Sequence, residues 1–436
     1  MFDITLKSLN IKYLYKSLLL RDISIYTFFR LINRSLPILL LPFLTHYLKP
    51  SDYAIIDFFT NFTYILIPLI GFNTVSSLSR YYYDKEINYV YFSTTVIKFS
   101  FITFFIFSIL SILFNSYIFD IVGIKPIPLF VFFALIYSFF EQIFLVHTTN
   151  LRLQGKSFSY GIIGLLRTLI ELVASLVFIY FFYRSWHGRI YGQFLGLLIV
   201  TLISIRALFL QGMNSLSFNI SYIKIALTFS FPLLIHTIAG ILLGFLNRFF
   251  IISELGVTEA GIFASAYQLC FIVSLFHTSF NEAWVPYLFS TLSNSESIQN
   301  KIRLMRITYL YFLFLILITL GFILFIPFIY KIIGKDFQVS YSITILISIG
   351  FLFNGFYKMI VNYLFYIKKT KIIAYGTLLA LIINTILNYF LIDKFKLIGA
   401  SMALTLTFFL HFIIFLYFLH KYYPMPWNIF QKTPKL

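Results

Sequence analysis

The sequence predicts an all-α integral membrane protein of about twelve transmembrane helices, arranged as two six-helix lobes around a central cavity. Three observations carry that reading: an apolar composition, a series of apolar runs of membrane-spanning length, and a weak echo between the two halves of the chain. Of 436 residues, 60% are hydrophobic, 21% aromatic and 11% charged, with mean hydropathy +0.91. A soluble domain carries roughly 25% charged residues. The net charge of +18 does not point to nucleic acid, because the basic residues sit between apolar spans and no soluble domain is left to hold a duplex. An anionic leaflet and an anionic ligand suit the excess better. The single cysteine, Cys270, excludes an intrachain disulfide, and redox chemistry finds no support.

A span needs roughly 20 predominantly apolar residues. The first, 22–46, follows Lys7, Lys12 and Lys16; it is long, contains Arg30 and Arg34 and lacks a small-residue cleavage site, so it reads as a retained span and not a signal peptide. Spans 53–79, 90–114, 127–149, 159–183 and 190–210 complete a first lobe over 22–210. After a linker at 211–222, spans 223–249, 260–288, 305–328, 338–365, 372–392 and 398–420 form a second lobe over 223–420. Segments 1–21 and 421–436 flank the lobes. The runs are too long, and lack the ten-residue alternation, for a transmembrane barrel. Twelve spans put both termini on one side. Most of the 33 Lys and Arg fall in loops and rims of that side, including Lys301, Arg303 and Arg306 and then Lys368, Lys369 and Lys371, which makes it cytoplasmic.

The halves resemble each other in order. Leu48-Lys49-Pro50-Ser51-Asp52-Tyr53-Ala54 after span 1 echoes Leu255-Gly256-Val257-Thr258-Glu259-Ala260-Gly261 after span 7, 207 residues further on. Lys156, Tyr160 and Gly161 entering span 5 match Lys371, Tyr375 and Gly376, and Gly192 matches Gly399. In transporters such halves usually flank a central site.

Charge inside the spans marks the candidate site. Arg30, Arg34, Lys98, Arg167, Arg248 and Lys358 all lie in apolar runs, where a cation costs about 3 kcal/mol or more unless it meets water, a counter-charge or a substrate. Arg30 and Arg34 are four apart and share a helix face. Arg167 and Glu171 repeat that spacing beside Gly164 and Ser175, as a structural ion pair or a gating pair. Asn354, Lys358 and Asn362 recur every four residues in span 10, and Asn384 and Asn388 follow in span 11; such amides either line a cavity or join helices. Span 7 aligns His236, Gly240, Gly244 and Arg248, so Arg248 could pair with Asp57, Glu254 or Glu259 as an outer gate. The acids within spans, Asp57, Glu141, Glu171 and Glu282, either neutralise these arginines or carry H⁺ or Na⁺. His236, His277 and His411 lack metal-ligand spacing and read as satisfied bundle histidines, so neither metal nor other cofactor is expected. Pro37 and Pro42, Pro68 and Pro232 are expected to kink spans 1, 2 and 7.

Several segments carry a family likeness. The first span with Arg30 and Arg34, then Leu48-Lys49-Pro50-Ser51-Asp52-Tyr53, Gly71-Phe72 and Ser79-Arg80-Tyr81-Tyr82, resembles the polysaccharide biosynthesis family of lipid-linked oligosaccharide flippases, the O-antigen flippases. So do Asn247-Arg248, Leu255-Gly256, Ala260-Gly261-Ile262-Phe263-Ala264-Ser265-Ala266-Tyr267 and Phe280-Asn281-Glu282-Ala283-Trp284-Val285-Pro286. Asn247 departs from relatives that carry an acid before the arginine. The resemblance implies the two-lobed fold of the multidrug, oligosaccharidyl-lipid and polysaccharide exporter superfamily, working by alternating access in a bacterial inner membrane. Its implied cargo is an undecaprenyl-diphosphate-linked glycan, such as an O-antigen unit of lipopolysaccharide, moved from the cytoplasmic to the periplasmic leaflet.

On that footing Arg30, Arg34, Arg80, Lys98, Arg167, Arg248 and Lys358 are expected to line a cationic cavity, with Asn354, Asn362, Asn384 and Asn388 as its polar lining. Arginine's planar fork binds phosphate oxygens in pairs. The prenyl tail would stay in membrane lipid, and a polymerase and glycosyltransferases would be partners. Two other classes compete: a multidrug or cation exporter, which wants a net negative cavity, and a membrane polymerase or ligase, which wants a large outer loop or clustered carboxylates. Neither feature is present in the sequence, and no enzyme activity is expected.

Overall fold

The computed structural model describes residues 25, 26, 28–122, 130–213, 218–294, 297–338 and 341–427, without the side chains of 113–122 and 294. The expected terminal segment 1–21, tail positions 428–436 and linker positions 214–217 lie outside the described residues. Among the described residues all regular structure is helical.

The helices of the first half are α1 (Phe28–Tyr47), α2 (Pro50–Leu69), α3 (Val75–Tyr81), α4 (Tyr89–Val122), α5 (Phe130–Leu153), α6 (Ser157–Val177) and α7 (Trp186–Leu210). The second half has α8 (Ile220–Leu255), α9 (Val257–Asn294), α10 (Ile298–Lys331), α11 (Tyr341–Tyr366) and α12 (Thr370–Tyr422). Ten of the helices are long and apolar enough to cross a membrane. The broken pair α2 and α3 adds a crossing, and α12 supplies two, which gives twelve. Helix α1 therefore begins, and α12 ends, on one side, hereafter the near side.

Local chemistry sets several helix ends. Pro50 opens α2 where its missing N–H costs nothing, and the Asp52 carboxylate accepts from the Lys49 N–H at 3.4 Å. Asn219 caps α8 by accepting from the N–H groups of Ser221 and Tyr222 at 2.9 and 3.3 Å.

Two expected spans differ in form. Span 2 is broken at Gly71, Phe72 and Asn73, all at positive φ; the freed Gly71 N–H donates to Thr103 Oγ1 at 2.9 Å. Spans 11 and 12 are two helices that meet at the one non-helical residue Lys396 (φ 51°, ψ −129°), where the chain reverses; α12 denotes both. The proline expectation holds in part. Helix α1 has a turn at Leu40, just before Pro42, and α2 ends just past Pro68, whereas Pro232 lies inside α8 without interrupting it.

In the first half α6 packs along α7, and α5 packs on α2, α4 and α7. In the second, α11 packs on α9, α10 and α12, while α8 packs on α9 and α12. The halves join mainly through α2 against α9, and α8 also leans on α2, α3 and α4. Because α2 and α9 start 207 residues apart, the main seam joins the equivalent helices of the two repeats. Large apolar side chains such as Leu310, Leu317, Leu324 and Phe328 of α10 are exposed, as on a surface solvated by acyl chains.

Candidate functional site

A central chamber of about 640 Å³ lies between the halves. Its wall is assembled from helix faces at spacings of three and four: Asn33, Arg34 and Pro37 from α1; Tyr53, Asp57, Thr60 and Tyr64 from α2; Tyr137 and Glu141 from α5; Arg167 and Glu171 from α6. Helix α7 adds Arg189 and Gln193, α9 adds Gln268, Ser274 and Thr278, and α11 adds Lys358. A side chamber of about 450 Å³ shares Asn33, Arg34, Pro37, Arg167 and Glu171 and adds Arg30, Thr148 and Tyr160.

The far end of the chamber is sealed. Gly261 of α9 sits so close to α2 that a Cβ there would fall 1.7 Å from the Pro50 carbonyl oxygen, and one at Gly334 would fall 1.9 Å from that of Thr45. Only hydrogen side chains admit these approaches. Gln268 accepts from the Tyr53 hydroxyl and donates to the Pro37 carbonyl at 2.9 Å, so one amide ties α9 to both α1 and α2.

Beside this seal Arg248 Nε donates to Asp57 Oδ2 at 3.1 Å, its guanidinium lies 3.8 Å from the Tyr267 ring centroid, and Nη1 donates to the Gly244 carbonyl. Arg248 is 3% exposed. Of the three partners open to Arg248 on sequence, Asp57 is the one it takes.

The acids along the chamber are held by guanidinium groups. Arg167 Nε donates to Glu171 at 2.8 Å, Nη1 to Glu141 at 2.8 Å and Nη2 to the Tyr137 hydroxyl at 3.0 Å. Arg189, buried, donates to Ser175 Oγ at 2.8 Å on α6. A Cβ at Gly196 would fall 2.4 Å from Glu171 Cγ, so this glycine lets α7 press against the carboxylate's own stem. Near the entrance Arg30 Nη1 meets Glu282 Oε1 at 2.5 Å, linking α1 to α9.

Two cations remain. Arg34 is exposed in the chamber, and Lys358 Nζ donates to the Thr278 hydroxyl at 3.5 Å; among the described residues neither has an acidic partner within ion-pair distance. Arg34 comes from the first half and Lys358 from the second, so a ligand bound by both would contact both lobes. Phosphate, with several acceptor oxygens and charge, satisfies such a pair.

Other expected site residues lie elsewhere. Arg80, Lys98, Arg248 and Asn354 line neither chamber. Arg80 is exposed at the near end of α3, 6.0 Å from the Tyr81 ring. Asn384 and Asn388 are fully buried in a network with Asn247: Asn247 donates to Asn388 at 3.1 Å and to the Ala400 carbonyl at 3.0 Å, and Asn384 donates to Thr407 at 2.9 Å. These amides join α8 to α12. Asn362 donates to Asn281 at 2.6 Å, joining α11 to α9. The expectation of satisfied histidines fails at His411, whose nitrogens find no hydrogen-bond partner among the described residues; its ring stacks on Tyr357 at 4.0 Å and behaves as an aromatic core group. Among the described residues no cluster of His, Cys, Asp and Glu could hold a metal. Arg189, Gln193, Tyr53 and Gln268 were not anticipated.

The described helices make this a multi-pass membrane protein, and its fold is one found among membrane transporters. Among solved structures the chain is similar to an inward-facing multidrug resistance MATE family transporter of the MOP superfamily: TM-score 0.70, 16% identity, covering 90% of this chain and 93% of that one. It is also similar to the lipid II flippase MurJ in an inward closed conformation, with TM-score 0.66, 16% identity and coverage of 90% and 87%. The chain belongs to the polysaccharide biosynthesis protein family, whose profile matches residues 19–292. It is 25% identical over 378 residues to protein 1 of the Lsg locus of Haemophilus influenzae, covering 83% of this chain and 88% of that protein. A membrane protein of the same organism is 25% identical over 385 residues, covering 84% of this chain and 88% of that protein.

Proposed function

We propose that this chain is a flippase that moves an undecaprenyl-diphosphate-linked oligosaccharide, an O-antigen unit or related surface glycan, from the cytoplasmic to the periplasmic leaflet by alternating access. The near side is cytoplasmic in this reading, supported by Lys301, Arg303, Arg306, Lys368, Lys369 and Lys371 on that side. One observation carries it: a central chamber sealed at its far end presents Arg34 and Lys358, from opposite halves, with no acidic partner among the described residues. A headgroup diphosphate bound between them is recognised while the glycan occupies the hydrated chamber and the prenyl chain stays in lipid.

The same charges supply direction. An anion moved outward across an inside-negative membrane gains about 2.3 kcal/mol per charge per 100 mV. Asp57, Glu141 and Glu171 are the groups through which H⁺ or Na⁺ would couple, and vesicles with proton, Na⁺ and electrical gradients imposed separately distinguish these drives.

The direct test is binding of undecaprenyl diphosphate to the purified protein in nanodiscs. Arg34→Ala and Lys358→Ala are each expected to weaken it about tenfold and to abolish surface glycan in a flippase-deficient strain at normal protein level. Tighter binding of tetraphenylphosphonium than of the diphosphate would instead identify an organic-cation exporter.

A further inference from the structure

One face of α9 near the entrance makes three successive links. Thr278 meets Lys358, Asn281 accepts from Asn362, and Glu282 pairs with Arg30. Thr278 and Glu282 are four apart, so the Glu282 carboxylate projects from the surface that faces Lys358, toward α1, where Arg30 and Arg34 also share a face. Among the described residues it makes the one ion pair between α1 and α9.

This pair differs in kind from the one at the sealed end. Arg248 is buried and fixed by Asp57, Gly244 and Tyr267, whereas the Arg30 and Glu282 side chains are 30% and 25% exposed. A partly exposed pair exchanges with a competing anion more readily than a buried one. A carboxylate presents two oxygens to guanidinium much as phosphate does, and phosphate adds charge and a third acceptor.

We propose that Glu282 is a place-holder for the cargo's phosphate. It occupies Arg30 when the chamber is empty and ties α1 to α9, and the arriving diphosphate displaces it. The tie between the halves is then broken only when an anion is loaded, which makes rearrangement of the lobes conditional on cargo. Cargo shifts the equilibrium because it binds the untied state better. The inference rests on the flippase reading above and assigns Glu282 a positioning role, separate from phosphate contact itself.

The sign of one variant tests it. In nanodiscs, Glu282→Gln is expected to bind undecaprenyl diphosphate about tenfold more tightly than the natural chain while transporting less, since the competitor is gone but the tie no longer reports loading. Unchanged or weaker binding by folded Glu282→Gln overturns the proposal. The natural chain gives a second readout by hydrogen exchange. On adding undecaprenyl diphosphate, amides of 278–286 should exchange faster and those of 28–36 more slowly; protection of both segments, or no change in either, overturns it. Absence of any diphosphate binding by the natural chain sinks the flippase reading, and this proposal with it.

Discussion

Arg248 of α8 and Asp57 of α2 meet across the two halves, Nε to Oδ2 at 3.1 Å, at the sealed end of the chamber. Breaking a buried pair leaves an uncompensated charge and costs about 3–5 kcal/mol. Arg248→Met should therefore loosen the seal. In a Cys270→Ser background, a cysteine at Thr60 should become reactive to a membrane-impermeant maleimide added from the far side. Adding Asp57→Asn should restore protection in part, because contacting residues are not additive. Equal labelling of all three chains would show that the seal does not depend on this pair.

Gly261 and Gly240 allow a paired comparison. A Cβ at Gly261 would collide with the Pro50 carbonyl, while nothing lies within 4 Å of one at Gly240. Gly261→Ala should force α2 and α9 apart and expose the chamber from the far side, measured by the same labelling. Gly240→Ala should stabilise α8 by about 0.5–1 kcal/mol, seen as a higher melting temperature in detergent.

The Asn247, Asn384 and Asn388 network predicts a purely structural defect. Asn384→Leu strips partners from Asn247, Asn388 and Thr407, and each buried group left unsatisfied costs about 1–3 kcal/mol. Yield and melting temperature should fall, while diphosphate affinity of the surviving folded fraction stays unchanged. A selective loss of affinity would place these amides in the binding path after all.

Arg34 and Lys358 were legible because a cation inside an apolar run has no ordinary explanation, whatever the fold around it. Arg189 was not, since it lies within one turn of the start of α7, where a charge reads as interfacial; α6 presses close at Gly192, against Ser175, the residue to which Arg189 donates. Asn384 and Asn388 show the opposite failure. Spacing by four defines a face, but it cannot tell whether that face meets water or a neighbouring helix, and here α8 supplies the partner. Arg80 misled through its place in a familiar string, although span 2 breaks at Gly71 and sends it to the near surface. The twelve crossings were readable from length and hydropathy alone. The exceptions arose where backbone geometry changed over a few residues, at Gly71 to Asn73 and at Lys396.

The reversal at Lys396 has a consequence for what the cell exposes. With the last two crossings folded into a hairpin on a single left-handed residue, the periplasmic rim of this part of the second lobe, in the orientation proposed, offers no slack backbone. Proteases need several extended residues to cut, and inserted tags need a strand that can bulge. This corner should resist both, which makes it a poor place for an epitope and a good fixed point for measuring how far the other half swings.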